Sequence, residues 1–203
     1  MGEVVSTPVD AKQESPIAGQ REKRRWTSRE DGMSNFVAAA LELLWKVDPQ
    51  ELTVRQIGER AGHSHRFVQA WFGGKAELFG VVWPLMVDEF TQRVVDPNTP
   101  HTPFTDEPSP ELERLVRMMV WLSHHRPETF TDSGEFRLVN FFETSYSSAG
   151  VDPETSRLLA QRLFAGVIAY ILFPEALRIQ EGDFARQISL ESRIVSALAN
   201  PEA

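Results

Sequence analysis

His65 and Arg66 stand at the start of a short segment that continues through Gln69, Trp71 and Lys75, so side chains able to donate hydrogen bonds collect within about three turns of chain. A helix with such groups at its N-terminal end meets the requirement for reading base edges in the major groove of DNA. The chemistry these residues point to is recognition, and the alternatives find little support. His63 and His65 are two apart, a spacing that does not put two imidazoles on one helix face, and the adjacent His124 and His125 also face apart. No phosphate-cradling glycine loop, nucleophile elbow or H-E-x-x-H pattern occurs anywhere in the 203 residues.

Two short helices joined by a glycine turn must position these groups. Thr53 is placed to cap the first of them, with Gln56 three residues on to return the bond, and Leu52 and Ile57 are spaced as a hydrophobic staple. Val54, Ile57 and Ala61 make a narrow inward face, and Gly62 can take positive φ and close the helix. Ser64 is the expected cap of the second helix. Its Val68 and Phe72 lie four apart on one face with Trp71 alongside, which leaves His65, Arg66, Gln69 and Ala70 pointing elsewhere. An ordinary helical hairpin with no DNA contact would show much the same spacing.

From Met33 to Leu78 the chain resembles the N-terminal DNA-binding domain of tetracycline-repressor-type (TetR family) transcriptional regulators. The features that carry the likeness are the helix FVAAALELLW, the run LTVRQIGERAG, a serine-led recognition helix, and the F-x-x-K-x-x-L of Phe72, Lys75 and Leu78. The resemblance implies an all-α fold, with a three-helix helix-turn-helix head followed by an antiparallel helical domain for ligand binding and dimerisation. Carried over position by position, it assigns His65 and Arg66 to base edges and Arg55 to a base or a phosphate. Thr53, Gln69, Trp71 and Lys75 go to phosphates, and Ser64 and Phe67 belong to the same surface. The chain departs from the usual pattern at Gln69, where the family has tyrosine, at Phe67, where it has a small residue, and at Trp71, often a histidine. The amide of Gln69 and the indole N–H of Trp71 still reach a phosphate in principle. Phe67 either touches a thymine methyl or turns inward and packs.

Net charge, −8, argues at first against a nucleic-acid partner, because DNA affinity comes largely from neutralising phosphates. Its distribution reverses the argument. All four lysines lie in the first 75 residues. From Arg21 to Lys75 the basic residues Arg21, Lys23, Arg24, Arg25, Arg29, Lys46, Arg55, Arg60, Arg66 and Lys75 outnumber the acids, and the acidic excess follows residue 80. Residues 1–26 read as a polar arm whose Arg21, Lys23, Arg24 and Arg25 either enter a minor groove or remain a solvated tail. With no cysteine, disulfides, thiolate metal sites and cysteine nucleophiles are excluded. The chain start lacks a secretory pattern, and no uncharged apolar run approaches the roughly 18 residues of a membrane span, so a cytoplasmic protein is expected. No cofactor or metal is called for.

A head over 27–80 and a helical effector-binding and dimerisation domain over 81–203 follow from this pattern. Met33, Phe36, Val37, Ala40, Leu41 and Leu44 form the stripe of the first helix, with a start capped by Thr27 or by Asp31, since Gly32 weakens it. Ala76 to about Val95 reads as a linking helix between head and C-terminal half, and the segment DPNTPHTPFTDEPSP as a loop or boundary. Further helices are expected over Glu111–His125, Gly134–Tyr146 and Pro153–Phe173, with Pro174 as a breaker and a last helix after Gly182. The apolar surplus of the last two either forms a homodimer interface, as the resemblance implies, or completes the monomer's core. Two-fold symmetry would match a palindromic operator on double-stranded DNA. The resemblance further implies a small-molecule effector among the middle helices, for which Trp121, Phe141, Phe142 and Tyr146 offer an apolar lining and Arg117, His124 or His125 polar anchors. The remaining alternative is a helical protein-interaction module that binds no DNA.

Overall fold

The computed structural model describes residues 28–94, 107–131 and 137–200, and these are helical with no strand among them. The basic arm, Thr27, most of the proline-rich segment and the expected helix start at Gly134 lie outside the described residues.

The head is α1 (Arg29–Leu44), α2 (Val54–Ala61) and α3 (Arg66–Phe72). Ser28 caps α1 by accepting the amide of Asp31 at 3.0 Å, and Glu30 and Asp31 place negative charge at the positive end of the helix dipole. The cap is therefore neither of the two expected residues. Phe36, Ala39, Ala40 and Leu44 are buried, so the inward stripe lies close to the one the sequence marked. The capping box of α2 is complete: Thr53 Oγ1 accepts from the Gln56 amide at 3.3 Å, and Gln56 Oε1 accepts from the Thr53 amide at 2.8 Å. Leu52 and Ile57, the two halves of the staple, are both fully buried. Gly62 ends the helix in the left-handed region at φ 72°, where a side chain would be strained.

α4 (Lys75–Val94) leaves the head directly, so the boundary expected at residue 80 falls inside a continuous helix. Pro84 sits in mid-helix, where it cannot donate to the Gly80 carbonyl. The helix does not simply lean on the head at one end and the body at the other. Phe79, near its start, packs on Trp121 of α5 (Pro110–His125), and Glu89, near its end, accepts a 2.8 Å bond from Trp45 Nε1 just beyond α1.

Ser109 caps α5 by accepting from Leu112, and the helix stops at the Arg126–Pro127 step as expected. A single turn, α6 (Glu128–Thr131), precedes α7 (Arg137–Ser148), which packs along α8 (Pro153–Leu172). Asp152 caps α8, Pro153 fills its first turn, and Pro174 follows just after its end. The last helix is α9 (Asp183–Ala199). Phe184 and Ile188 bury it against the body, with the Phe184 ring edge-on to Tyr170 at 4.9 Å. Glu107 ties the start of the described body to the far side of the fold, accepting from Tyr170 Oη and from the Gly182 amide, both at 3.1 Å.

Candidate nucleic-acid interface

The turn between α2 and α3 is built on Gly58. The His63 amide donates to the Gly58 carbonyl at 3.0 Å, and a Cβ on Gly58 would stand 2.9 Å from both the His63 carbonyl oxygen and the His65 nitrogen. Only a residue without a side chain lets the chain double back so closely. The expected cap at Ser64 does not form. α3 begins one residue later with His65 at its N-cap and no side-chain cap bond, because the Ser64 and His65 carbonyls already accept from Phe67 and Val68 in a tight first turn.

Val68 is the buried anchor of α3, and Trp71 fixes its rotation. The indole sits edge-on to Phe36 at 5.8 Å, and its six-membered ring occupies the hollow left by Gly32, where a Cβ would meet Trp71 atoms at 2.6 Å. Gly32 is thus a socket in α1, where the sequence suggested only a weak point. His63 joins the cluster from the turn and is held by a 3.2 Å hydrogen bond between Asn35 and its Nε2.

Ser64, His65, Arg66, Phe67 and Gln69 are all exposed on the outer side of this framework. Phe67 does not turn inward: it remains 40% exposed and stacks on Trp71 at 4.3 Å with ring planes 12° apart. Trp71 therefore has its apolar body committed to packing while Phe67 presents the open aromatic face. Gln69 spends its amide on the helix end, donating to the Gly73 carbonyl at 2.7 Å. The Thr53 hydroxyl is likewise engaged in its own capping box. Both would have to exchange an internal bond for a phosphate.

Charge pairing narrows the set further. Lys46 and Arg60 share the carboxylate of Glu42, which these contacts hold below its ordinary range, and Arg55 pairs with Glu59 at 2.8 Å on an exposed face. Arg66 has no such partner among the described residues. Lys75, expected at a phosphate, is instead turned inward. Its ammonium donates to the Pro49 carbonyl at 2.6 Å and lies 5.0 Å from the Trp121 ring, and burial holds it below the usual lysine range, opposed by the Asp48 carboxylate.

The residues proposed for an effector do not gather in one place. Arg117, Trp121, His124 and His125 line a cavity of about 460 Å³ that also includes Asp48, Gln50, Lys75, Val120 and Leu172. Phe142 and Tyr146 are buried in the body core with Phe141 packed beside them, and burial pushes the Tyr146 hydroxyl's pKa up, with Glu191 adding to the shift. Asp48 and Gln50, in the loop after α1, carry no sequence signal for a site, because only the tertiary fold brings them to α5. No group of three metal-ligating side chains occurs among the described residues, and no helix among them is long and apolar enough to cross a membrane.

Comparison with known proteins bears on the head. Residues 36–82 match the family described as bacterial regulatory proteins, tetR family. Among solved structures, the chain is similar to NalD of Pseudomonas aeruginosa, the secondary repressor of the MexAB-OprM multidrug efflux pump. Identity is 16% and the TM-score 0.41, over 83% of this chain and 97% of that one. It is also similar to a tetR-family transcriptional regulator from Streptomyces coelicolor, at 17% identity and a TM-score of 0.44, over 85% and 88% of the two chains. A third is the fatty acid degradation regulator FadR of Bacillus halodurans, at 12% and 0.39, over 93% and 97%. No curated protein matches the sequence. The match falls on the segment in which Gly58, Trp71 and the capping box of Thr53 set the exposed α3, and on that ground residues 36–82 form a helix-turn-helix head of the tetR type.

Proposed function

We propose that the chain is a homodimeric repressor that binds a palindromic operator and is released from it by a small-molecule effector. The observation that carries the DNA reading is the combination on α3 of an unpaired, exposed Arg66 with exposed His65 and Phe67, all on a helix whose rotation is locked by Trp71. Arg66 and His65 serve base edges, with Phe67 against a thymine methyl. Arg55 can reach a phosphate by giving up its surface pair with Glu59, a contact worth little in water. Thr53, Ser64, Gln69 and the Trp71 indole N–H border the same surface.

Self-association is supported by the surface of the last two helices. Leu158 on α8 and Leu190 and Leu198 on α9 are each about half exposed, and a second copy would cover them. Release of a repressor from DNA by an effector follows from the family reading. It requires that the effector favour a conformation in which the two heads no longer match the half-site spacing.

The test is selection of bound fragments from a random DNA pool at near-physiological salt, with Arg66→Ala beside the parent and the size of the free protein measured by sedimentation. A palindromic site is expected from the parent. Arg66→Ala should bind it more weakly by roughly 1–3 kcal/mol and tolerate substitution at one base pair of each half-site. No enrichment at any salt would leave the protein-interaction module as the better reading, and an unchanged affinity in Arg66→Ala would move the reading residues elsewhere on α3.

A further inference from the structure

The cavity between the head and α5 has the chemistry of a ligand site, and it is distinct from the aromatic core of the body. Its wall holds two cations, Lys75 and Arg117, against one carboxylate, Asp48. One of its oxygens is committed, Oδ1 accepting from the Gln50 amide at 2.8 Å, while Oδ2 meets Arg117 only at 3.8 Å. Lys75 donates once, to Pro49, so both cations keep donors in hand. His124 Nδ1 lies 2.8 Å from the Val120 carbonyl and His125 Nδ1 2.8 Å from the Trp121 carbonyl. A carbonyl can only accept, so each Nδ1 carries a proton and donates it there, which leaves each Nε2 of the neutral ring as an acceptor. The His125 and Trp121 rings stack at 4.0 Å with planes 9° apart, forming a flat slab, and Val120 and Leu172 add apolar lining. A volume of about 460 Å³ lies within the range of small-molecule pockets.

We propose that this junction cavity binds an aromatic carboxylic acid, its carboxylate between Arg117 and Lys75 and its ring against the Trp121–His125 slab. An acid is favoured over a neutral or cationic guest because the wall carries two cations against one carboxylate. The inference rests on the effector reading for its regulatory meaning, though the site stands on its own geometry. Lys75 opens α4 and holds the Pro49 carbonyl of the loop between α1 and α2. A carboxylate that engages Lys75 competes with that carbonyl, so it acts on a link joining two elements that frame α3.

Naphthalene-2-carboxylate is the probe, titrated calorimetrically into the full chain beside the neutral naphthalene-2-carboxamide. Arg117→Gln is the site variant, Thr144→Ala on α7 the control, and thermal melts establish that both fold. The acid is expected to bind once per chain and about tenfold more tightly than the amide, as one charge-assisted pair at a half-exposed site would give. Arg117→Gln should erase that preference and Thr144→Ala should leave it. Equal binding of acid and amide, a preference that survives in Arg117→Gln, or no heat from the acid would each overturn the site. The same samples are then assayed on the selected operator. Operator binding without acid binding sinks the site and leaves the regulator. Acid binding that leaves the operator complex unchanged keeps the site and sinks its role as effector.

Discussion

Gly58→Ala is expected to destabilise the protein by about 2 kcal/mol and to weaken operator binding by more than the loss of any single exposed contact. Alanine ordinarily gains up to about 1 kcal/mol over glycine inside a helix, so the sign depends on what the new methyl meets. At this position it meets backbone: the His63 carbonyl oxygen and the His65 nitrogen at 2.9 Å, and the His65 Cα at 3.0 Å. Backbone cannot rotate aside as a side chain can, and overpacking of this kind costs about 1–3 kcal/mol, occasionally more. Relief comes only from pushing the turn away from α2, which carries His65 and Arg66 with it. A thermal melt and an operator titration on the same preparation check both parts. A melting temperature at or above the parent's with full affinity would mean that the turn is looser than the structure has it.

Trp71→Ala should be nearly as damaging, at about 3 kcal/mol, toward the low end for large aromatic truncations because the indole is only partly buried. The loss includes the hollow at Gly32, the edge contact with Phe36 and the support under Phe67. The reciprocal change, Gly32→Ala, places a methyl 2.6 Å from the indole, but the obstacle is the far edge of a side chain and can shift, so its cost should be smaller. The two positions share one space. The double variant Gly32→Ala/Trp71→Ala is therefore expected to be more stable than the sum of the single effects predicts, by about 1 kcal/mol of coupling. Additive effects in chemical denaturation would show that the indole does not rest in that hollow.

Local signals carried the head a long way. The capping box of Thr53 and Gln56, the staple of Leu52 and Ile57 and the stop at Gly62 concern residues a few positions apart, and each has a geometry that residue type alone specifies. The α8 terminus before Pro174 was legible for the same reason. What escaped depends on contacts across the chain. Gly32 reads as a helix weakener until Trp71, thirty-nine residues later, is seen to fill it. Lys75 was expected at a phosphate from its place in the F-x-x-K-x-x-L run, yet a backbone carbonyl at Pro49 and the ring of Trp121 offer its ammonium a nearer resting place. Ser64 looked like a cap because serine favours that place, but in the tight first turn of α3 the Phe67 and Val68 amides already donate to backbone carbonyls, which leaves the hydroxyl no amide to accept from. The candidate ligand residues were scattered over α5 and α7 because apolar periodicity marks burial without saying which helices share a cavity.

α4 has a consequence for how the molecule comes apart. Its early residue Phe79 is packed by α5 and its late residue Glu89 is bonded by Trp45, so head and body are interleaved along the helix and are not strung end to end. Leu78, Phe79, Val82, Met86 and Phe90 form an unbroken buried stripe that neither half could bury alone. Such an arrangement is expected to melt as one cooperative unit, with head and body lost in a single thermal transition. Free energy of binding gained anywhere in that unit is consequently shared by all of it, so a guest lodged far from α3 still protects α3 against thermal unfolding.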